Sequence, residues 1–231
     1  MFVIDDMRDL VRALACGYTI AHVFYCPELD TDNDISTFEH ATIYEVPRDI
    51  MAKISYRSTP SSIVAVMHHP QNQPALSDIG ASRVLGLVNL QKPGNIGALL
   101  RTADATGFKT ILLIDTSLDL YNPNIIRSST GAVFLNNIYT VSSQQALAFF
   151  HEHDYSIVAG IVDGDTPLPE VDFERKSAVL LGTEDVGLDD FWQAQCDVRV
   201  TIPMVGEISD SFNVSVSGAI IMYEALRQTR W

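Results

Sequence analysis

The segment Leu87–Phe108, LVNLQKPGNIGALLRTADATGF, constrains this chain more than any other stretch. An apolar strand runs through a Pro-Gly-Asn turn straight into a helix. Gly94 and Gly97 permit a tight turn after the strand, Asn95 is suited to cap the helix, and Gly107 is placed to end it. The helix carries one arginine, Arg101, six residues after Asn95, so the unit sets an amide side chain and a guanidinium beside a polar cleft.

The pattern recurs downstream. Strands at about Arg83–Leu87, Thr110–Ile114, Tyr155–Ile161 and Ala178–Leu181 alternate with helical patterns around Ile96–Thr106, Ser143–His153 and Asn213–Gln228. Apolar strands separated by helices predict a parallel sheet covered on both faces. Upstream, Phe2-Val3-Ile4, a helix from about Met7 to Ala15 ended by Gly17, then Ile20–Tyr25, Ala41–Glu45 and Ser62–Met67 describe a smaller α/β unit. Between the two, His68–Ala81 is rich in Pro, Gln, Asn and Gly, lacks periodicity and reads as a linker. The expected division is residues 1–70, a linker at 71–81, and residues 82–231.

At 231 residues the chain has room for one large domain or two modest ones, each able to bury a core. With 47% hydrophobic and 19% charged residues, no run of 18 apolar residues and no basic-then-apolar leader, it reads as a cytoplasmic globular protein without a membrane segment. Cys16, Cys26 and Cys196 are scattered and form no C-x-x-C pair, so reduced packing residues are expected. His68-His69 and His151-x-His153 have no Cys or acidic partner at metal-ligand spacing, and no metal is expected.

The net charge of −14 argues, on composition alone, against a nucleic-acid partner. Its distribution softens this. Glu28, Asp30, Asp32, Asp34, Glu39, Glu45 and Asp49 crowd one stretch, and Asp163, Asp165, Glu170, Asp172 and Glu174 another, which reads as solvated acidic loops. Arg83, Lys92, Arg101 and Arg127 fall in or near the motif-bearing segments, where a local positive patch can persist.

Two further blocks complete the pattern. Val179–Leu188, VLLGTEDVGL, ends a buried strand with Gly182, Thr183 and the carboxylate of Glu184, followed by Gly187; glycines here let the backbone approach a ligand. Ile202–Leu226 leads from Ile202-Pro203-Met204 through a Gly206 loop to Ser211-Phe212-Asn213-Val214-Ser215 at the start of the last helix, where small hydroxyl residues thin one helix face and supply polar groups. Each block alone has a structural explanation: an Arg101–Asp104 pair worth only ~0.2–0.5 kcal/mol, a Gly-containing turn, a capped helix. A dinucleotide-binding loop is the nearest alternative for the first. It lacks the first glycine of G-x-G-x-x-G, and Asp115 is too close to be the usual acidic partner.

Together, in this order, the three blocks closely resemble the signature motifs of the SpoU (TrmH-like) family of the SPOUT superfamily, over about two-thirds of the chain from Arg83 onward. The resemblance implies an S-adenosylmethionine-dependent RNA ribose 2′-O-methyltransferase acting on ribosomal or transfer RNA. The implied fold is an α/β domain with a deep C-terminal trefoil knot, working as a homodimer through the knotted domains. The first 70 residues resemble the family's ribosomal-protein-like substrate-binding domain, with weaker motifs such as Lys53-Ile54-Ser55-Tyr56-Arg57.

Carried over by position, the resemblance implies Asn95, Arg101, Glu184, Ser211 and Asn213 as catalytic-site residues. It implies Ala159, Gly160, Gly182, Thr183, Glu184, Gly187, Ile202, Met204, Asn213 and Val214 around S-adenosylmethionine, and Lys53, Arg57 and Arg127 toward RNA. Arg101 is expected to orient the ribose hydroxyl and stabilise its developing charge, Glu184 to brace Asn95 or its loop, and Asn213 to hold the knot and cofactor loop. Two departures stand out: Phe212 replaces the usual leucine, and the loop from Met204 to Ser211 is one residue longer than is typical. A protein that keeps the fold as a non-catalytic RNA-binding or assembly factor is the alternative from another class, and a Rossmann-type nucleotide enzyme a third.

Overall fold

The computed structural model describes residues 1–30, 35–38, 41–70, 75–135, 137–206, 208 and 210–230. Asp32, Asp34 and Glu39 of the acidic stretch, 71–74 of the linker reading, and Glu207 and Ser209 of the lengthened loop lie outside the described residues.

The first unit runs β1 (Phe2–Ile4), α1 (Met7–Ala15), β2 (Ile20–Tyr25), β3 (Thr42–Glu45), α2 (Arg48–Ile54) and β4 (Ile63–Met67). Its strands form a four-stranded sheet of order β1-β4-β2-β3, with β4 antiparallel to both neighbours and β2 parallel to β3. Asp6 caps α1 by accepting from the Asp9 N–H.

The second unit runs β5 (Arg83–Val88), α3 (Pro93–Thr106), β6 (Thr110–Ile114), α4 (Pro123–Ser129), β7 (Asn137–Val141), α5 (Ser143–Glu152), β8 (Ser156–Gly160), β9 (Thr166–Pro167), β10 (Ser177–Leu181), α6 (Asp190–Gln195), β11 (Val198–Thr201) and α7 (Val214–Arg230). Its seven strands pair in the order β7-β6-β5-β10-β8-β11-β9, and every pairing is parallel. The apolar runs predicted as strands are buried on both sides. Leu85, Leu87, Ile111, Leu113 and Val179 face a core shared with α3, α4 and α7, while Val84, Leu112, Ile114, Ala178 and Leu180 face Phe149, Phe150 and Trp192 of α5 and α6. Covering both faces is why these strands read as continuous apolar runs.

One helix start differs from the sequence reading. Helix α3 begins at Pro93, not near Ile96, with Lys92 as its cap residue and proline in the first helical position, where a missing N–H costs nothing. Asn95 is therefore inside the first turn and does not cap. The predicted end holds: Gly107 adopts φ +81, the left-handed conformation that closes a helix.

Glycine also sets how closely α3 and α4 pack. A Cβ on Gly97 would lie 1.9 Å from Ser128 Oγ and 2.8 Å from the backbone at Ile125 and Ser129, so only glycine permits this approach.

The two units are fastened together along α4. Phe2 stacks on Tyr121 at 4.3 Å between ring centroids, Tyr18 packs edge-on to Phe134, and the Tyr18 and Tyr121 hydroxyls share a hydrogen bond of 3.2 Å. The Arg12 guanidinium donates to the carbonyl of Thr130, a residue in the left-handed conformation at the end of α4.

Candidate active site at the carboxyl edge of the parallel sheet

In an open parallel sheet, ligands bind outside the carboxyl ends of the strands where the strand order reverses. Here β10 lies between β5 and β8, with Leu181 level with Leu87, so the loops after β5, β10, β8 and β11 emerge side by side. All three sequence blocks start from such ends.

Loops after β8, β10 and β11 and the first turns of α7 enclose a cavity of about 480 Å³. Gly160, Gly182, Thr183, Glu184, Gly187, Ile202, Met204, Ser211 and Val214 all line it. The β10 loop is closed on itself: Thr183 and Gly187 exchange both backbone hydrogen bonds, at 3.1 and 3.0 Å, and Gly187 takes φ +69. A Cβ at Gly182 would lie 2.2 Å from the Gly187 backbone. The close packing of this hairpin alone requires glycine at Gly182, which also lines the cavity.

Asn95, Glu184 and Lys92 tie the first block to the second. The Asn95 side-chain amide donates to Glu184 Oε1, and Lys92 Nζ lies 3.2 Å from Glu184 Oε2.

Arg101 lies elsewhere. It is exposed on α3 and lines a separate groove of about 610 Å³ between α3 and α7, with Thr102, Ala105, Tyr223 and Glu224. Among the described residues it has no hydrogen bond or ion pair, so the pairing with Asp104 is not formed. Across the groove Glu224 accepts from Arg227 at 2.7 and 2.8 Å, which holds its carboxyl below the usual range.

Two further expected residues lie outside the cavity wall. Asn213 caps α7, accepting from the Ser215 N–H at 3.0 Å and the Ser215 hydroxyl at 2.7 Å. Ala159 is fully buried in β8, facing the α5–α6 side. The sequence reading missed Asp163, Arg199, Ser217 and Ile221 in the wall. Ser217 and Ile221 follow Val214 at i+3 and i+7, a spacing that marks one helix face; Asp163 and Arg199 carry no such signal.

Of the residues expected toward RNA, Lys53 is exposed on α2, 3.9 Å from Asp49. Arg127 is exposed at the end of α4, 3.2 Å from Asn124 Oδ1. Arg57 is held instead by Asp6, at 2.6 Å, and by Asp5.

The cavity is chemically mixed. Leu181, Leu188, Ile202, Phe212 and Ile221 make apolar walls, while among the described residues that line it Asp163, Glu184, Asp185 and Asp210 outnumber the single cation Arg199. Such a site suits a flat apolar ring joined to a positively charged group.

Fold and cavity define an α/β protein with a ligand-sized cavity at the carboxyl edge of a parallel sheet. The profile of the SpoU rRNA Methylase family matches residues 82–223, and the chain belongs to that family. The MRM3-like substrate binding domain matches residues 1–65. Among relatives, the 23S rRNA (uridine(2479)-2′-O)-methyltransferase of Streptomyces viridochromogenes is 28% identical, over 98% of this chain and 83% of its own length. The 23S rRNA (guanosine(2553)-2′-O)-methyltransferase RlmP of Bacillus subtilis is 25% identical, over 96% and 87%. The crystal structure of the SpoU methyltransferase AviRb from Streptomyces viridochromogenes, in complex with the cofactor AdoMet, matches with a TM-score of 0.87 at 26% identity, covering 98% of this chain and 89% of that one.

Proposed function

We propose that this chain is an S-adenosylmethionine-dependent methyltransferase that modifies a ribose 2′-hydroxyl of ribosomal or transfer RNA. The observation that carries this reading is the convergence of the three blocks on one sheet edge, with Asn95 bonded to Glu184 at the rim of the cavity. The relatives support it, since they are named as 2′-O-methyltransferases of 23S rRNA. A non-catalytic RNA-binding protein is not favoured.

The residues present fit the cofactor. A cavity of about 480 Å³ falls within the ordinary range for small-molecule sites, its apolar walls suit an adenine ring, and its acidic rim suits a sulfonium and an ammonium. Gly160, Leu181, Ile202, Met204 and Val214 would hold it, with Thr183 and Ser217 as polar partners. Bound there, S-adenosylmethionine supplies an electrophilic methyl group on sulfur.

The chain's own contribution is alignment and charge stabilisation. Bringing a hydroxyl into line with a methyl group replaces a bimolecular encounter with a positioned one. Arg101 almost never loses its proton, and it lines the α3–α7 groove, not the cavity; in an assembly that brings that groove against a cofactor cavity, as a second copy of the chain could, it orients the hydroxyl and stabilises the negative charge that develops on its oxygen, while a neighbouring phosphate accepts the proton. Lys92 and Asn95 fix Glu184, and through it the β10 loop; Ser211 faces the cavity as a substrate-positioning hydroxyl. Asn213 acts by capping α7, whose first turns form one wall.

Residues 1–70 act as the RNA-binding domain, 71–81 as the linker and 82–231 as the catalytic domain. The trefoil knot comes from the family resemblance, and the likeness of the whole fold to the SpoU methyltransferase AviRb supports it. A homodimer is supported by exposed apolar side chains on the β10 loop, which lines the cavity, and on the loop before α7, with Val186 84%, Val205 102% and Ile208 95% exposed. Among the described residues no helix is long and apolar enough to cross a membrane.

Arg101→Ala tests the assignment. Methyl transfer should fall by about 10²–10³-fold while cofactor and RNA affinities stay within about twofold; unchanged transfer would overturn the role given to Arg101.

A further inference from the structure

We propose that Tyr56, Asn124 and Arg127 form an RNA contact at the seam between the two units, where the Tyr56 ring stacks on an unpaired base and Arg127 holds an adjacent phosphate. This rests on the RNA methyltransferase reading and names a part of the substrate that the cavity does not.

Tyr56 follows α2 and is 55% exposed, and among the described residues no other ring stacks on it. Its surroundings fix its position. The backbone N–H groups of Tyr56 and Arg57 both donate to Asp5 Oδ2, at 3.1 and 3.2 Å. The Arg57 guanidinium bonds Asp6 at 2.6 Å, which pins the same turn. At its far end the Tyr56 hydroxyl accepts from Asn124 Nδ2 at 2.8 Å, across the seam. The amide of Asn124 in turn accepts from Arg127 at 3.2 Å, so the guanidinium is held beside the ring.

An aromatic ring on the surface of a folded protein usually loses rotamer freedom when it binds. Here that freedom is already spent on bonds that leave the ring faces open, so stacking meets little further entropic cost. Every base offers a π-face, and stacking on aromatic side chains beside cationic groups that take the phosphates is how single-stranded RNA is commonly held. In a chain of net charge −14 this matters, because long-range attraction of phosphates is weak. Among the described residues the Arg127 guanidinium bonds only the neutral Asn124 side chain, so its charge is available to a phosphate.

The test uses the full-length protein and unmodified large-subunit rRNA as the probe, with binding and methyl transfer both measured. Tyr56→Ala should weaken RNA binding roughly tenfold or more, with the melting temperature and S-adenosylmethionine affinity unchanged. Tyr56→Phe, which keeps the ring and loses the hydroxyl bond to Asn124, should weaken binding by only about two- to fivefold, clearly less than Tyr56→Ala. Arg127→Ala should weaken binding and lower its salt dependence by about one ion. With p-azidophenylalanine at position 56, irradiation should cross-link to a single-stranded segment. Tyr56→Ala binding as tightly as the parent would overturn the proposal, as would Tyr56→Phe losing as much as Tyr56→Ala, which would make the ring a tether for Asn124. A parent protein that neither binds nor methylates any RNA would instead overturn the functional reading itself.

Discussion

The side-chain amide of Asn95 donates to Glu184 Oε1 across 89 residues of sequence, joining the helix after β5 to the loop after β10. Glu184 also takes an ion pair from Lys92 at 3.2 Å. Its carboxylate therefore has two partners on α3 and its cap, and the β10 hairpin is braced against the helix that carries Arg101.

Removing that brace should act on geometry. Glu184→Ala is expected to lower methyl transfer by roughly 10–100-fold, the scale of a charge-assisted hydrogen bond, with a smaller loss for Glu184→Gln, which can still accept from Asn95. Single-turnover assays with saturating cofactor provide the measure; equal losses in both variants would assign the effect to the Lys92 ion pair instead.

The close approach of α3 to α4 makes a paired stability test. Gly97→Ala should destabilise by ~1–3 kcal/mol, because its Cβ would meet backbone atoms of Ile125 and Ser129 at 2.8 Å. Gly94→Ala, with nothing within 4 Å of its Cβ, should be neutral or stabilising by ~0.4–1 kcal/mol. Urea unfolding of the two variants side by side distinguishes packing from general intolerance of alanine in this turn.

Asp9 provides a pH signature. It is 1% exposed, and burial, with Asp6 adding, raises its carboxyl above the usual range against the pull of Arg8 and Arg12. The folded state thus holds this proton more tightly than the unfolded chain, so ionising Asp9 removes stability as pH rises from about 3.9. Asp9→Asn cannot ionise there. Its stability relative to the parent should therefore improve between pH 4 and pH 7, and a difference that stays constant over that interval would contradict the assignment.

The exposed apolar rim predicts association. Val205→Asp combined with Ile208→Asp should convert a dimer to a monomer in light scattering at micromolar concentration. A parent protein that is already monomeric would remove the homodimer from the account.

Much of the central sheet was legible because its strands are buried on both faces, which leaves uninterrupted runs such as Thr110–Ile114 and Ser177–Leu181. Short or half-exposed elements were not. Strand β11, with only Val200 fully buried, shows no clean alternation, and α4 has just seven residues, although Asn122-Pro123 is a helix-start signal that could have revealed it. Asn95 was misread as a cap because a local rule favours asparagine there; the competing rule, proline in the first helical position, won. Part of the cavity wall, including Gly160, Gly182, Gly187, Ile202 and Val214, was reached through the resemblance to the family's motifs. Arg199 and Asp163 were not, since their proximity depends on β8 and β11 pairing across a long sequence gap.

The most direct measurement is to incubate the purified protein with methyl-labelled S-adenosylmethionine and unmodified total RNA, digest the RNA to nucleosides and identify the labelled product. A labelled 2′-O-methylnucleoside is the expected result. Label on a base, or no label in RNA from a protein that binds the cofactor, would contradict the account.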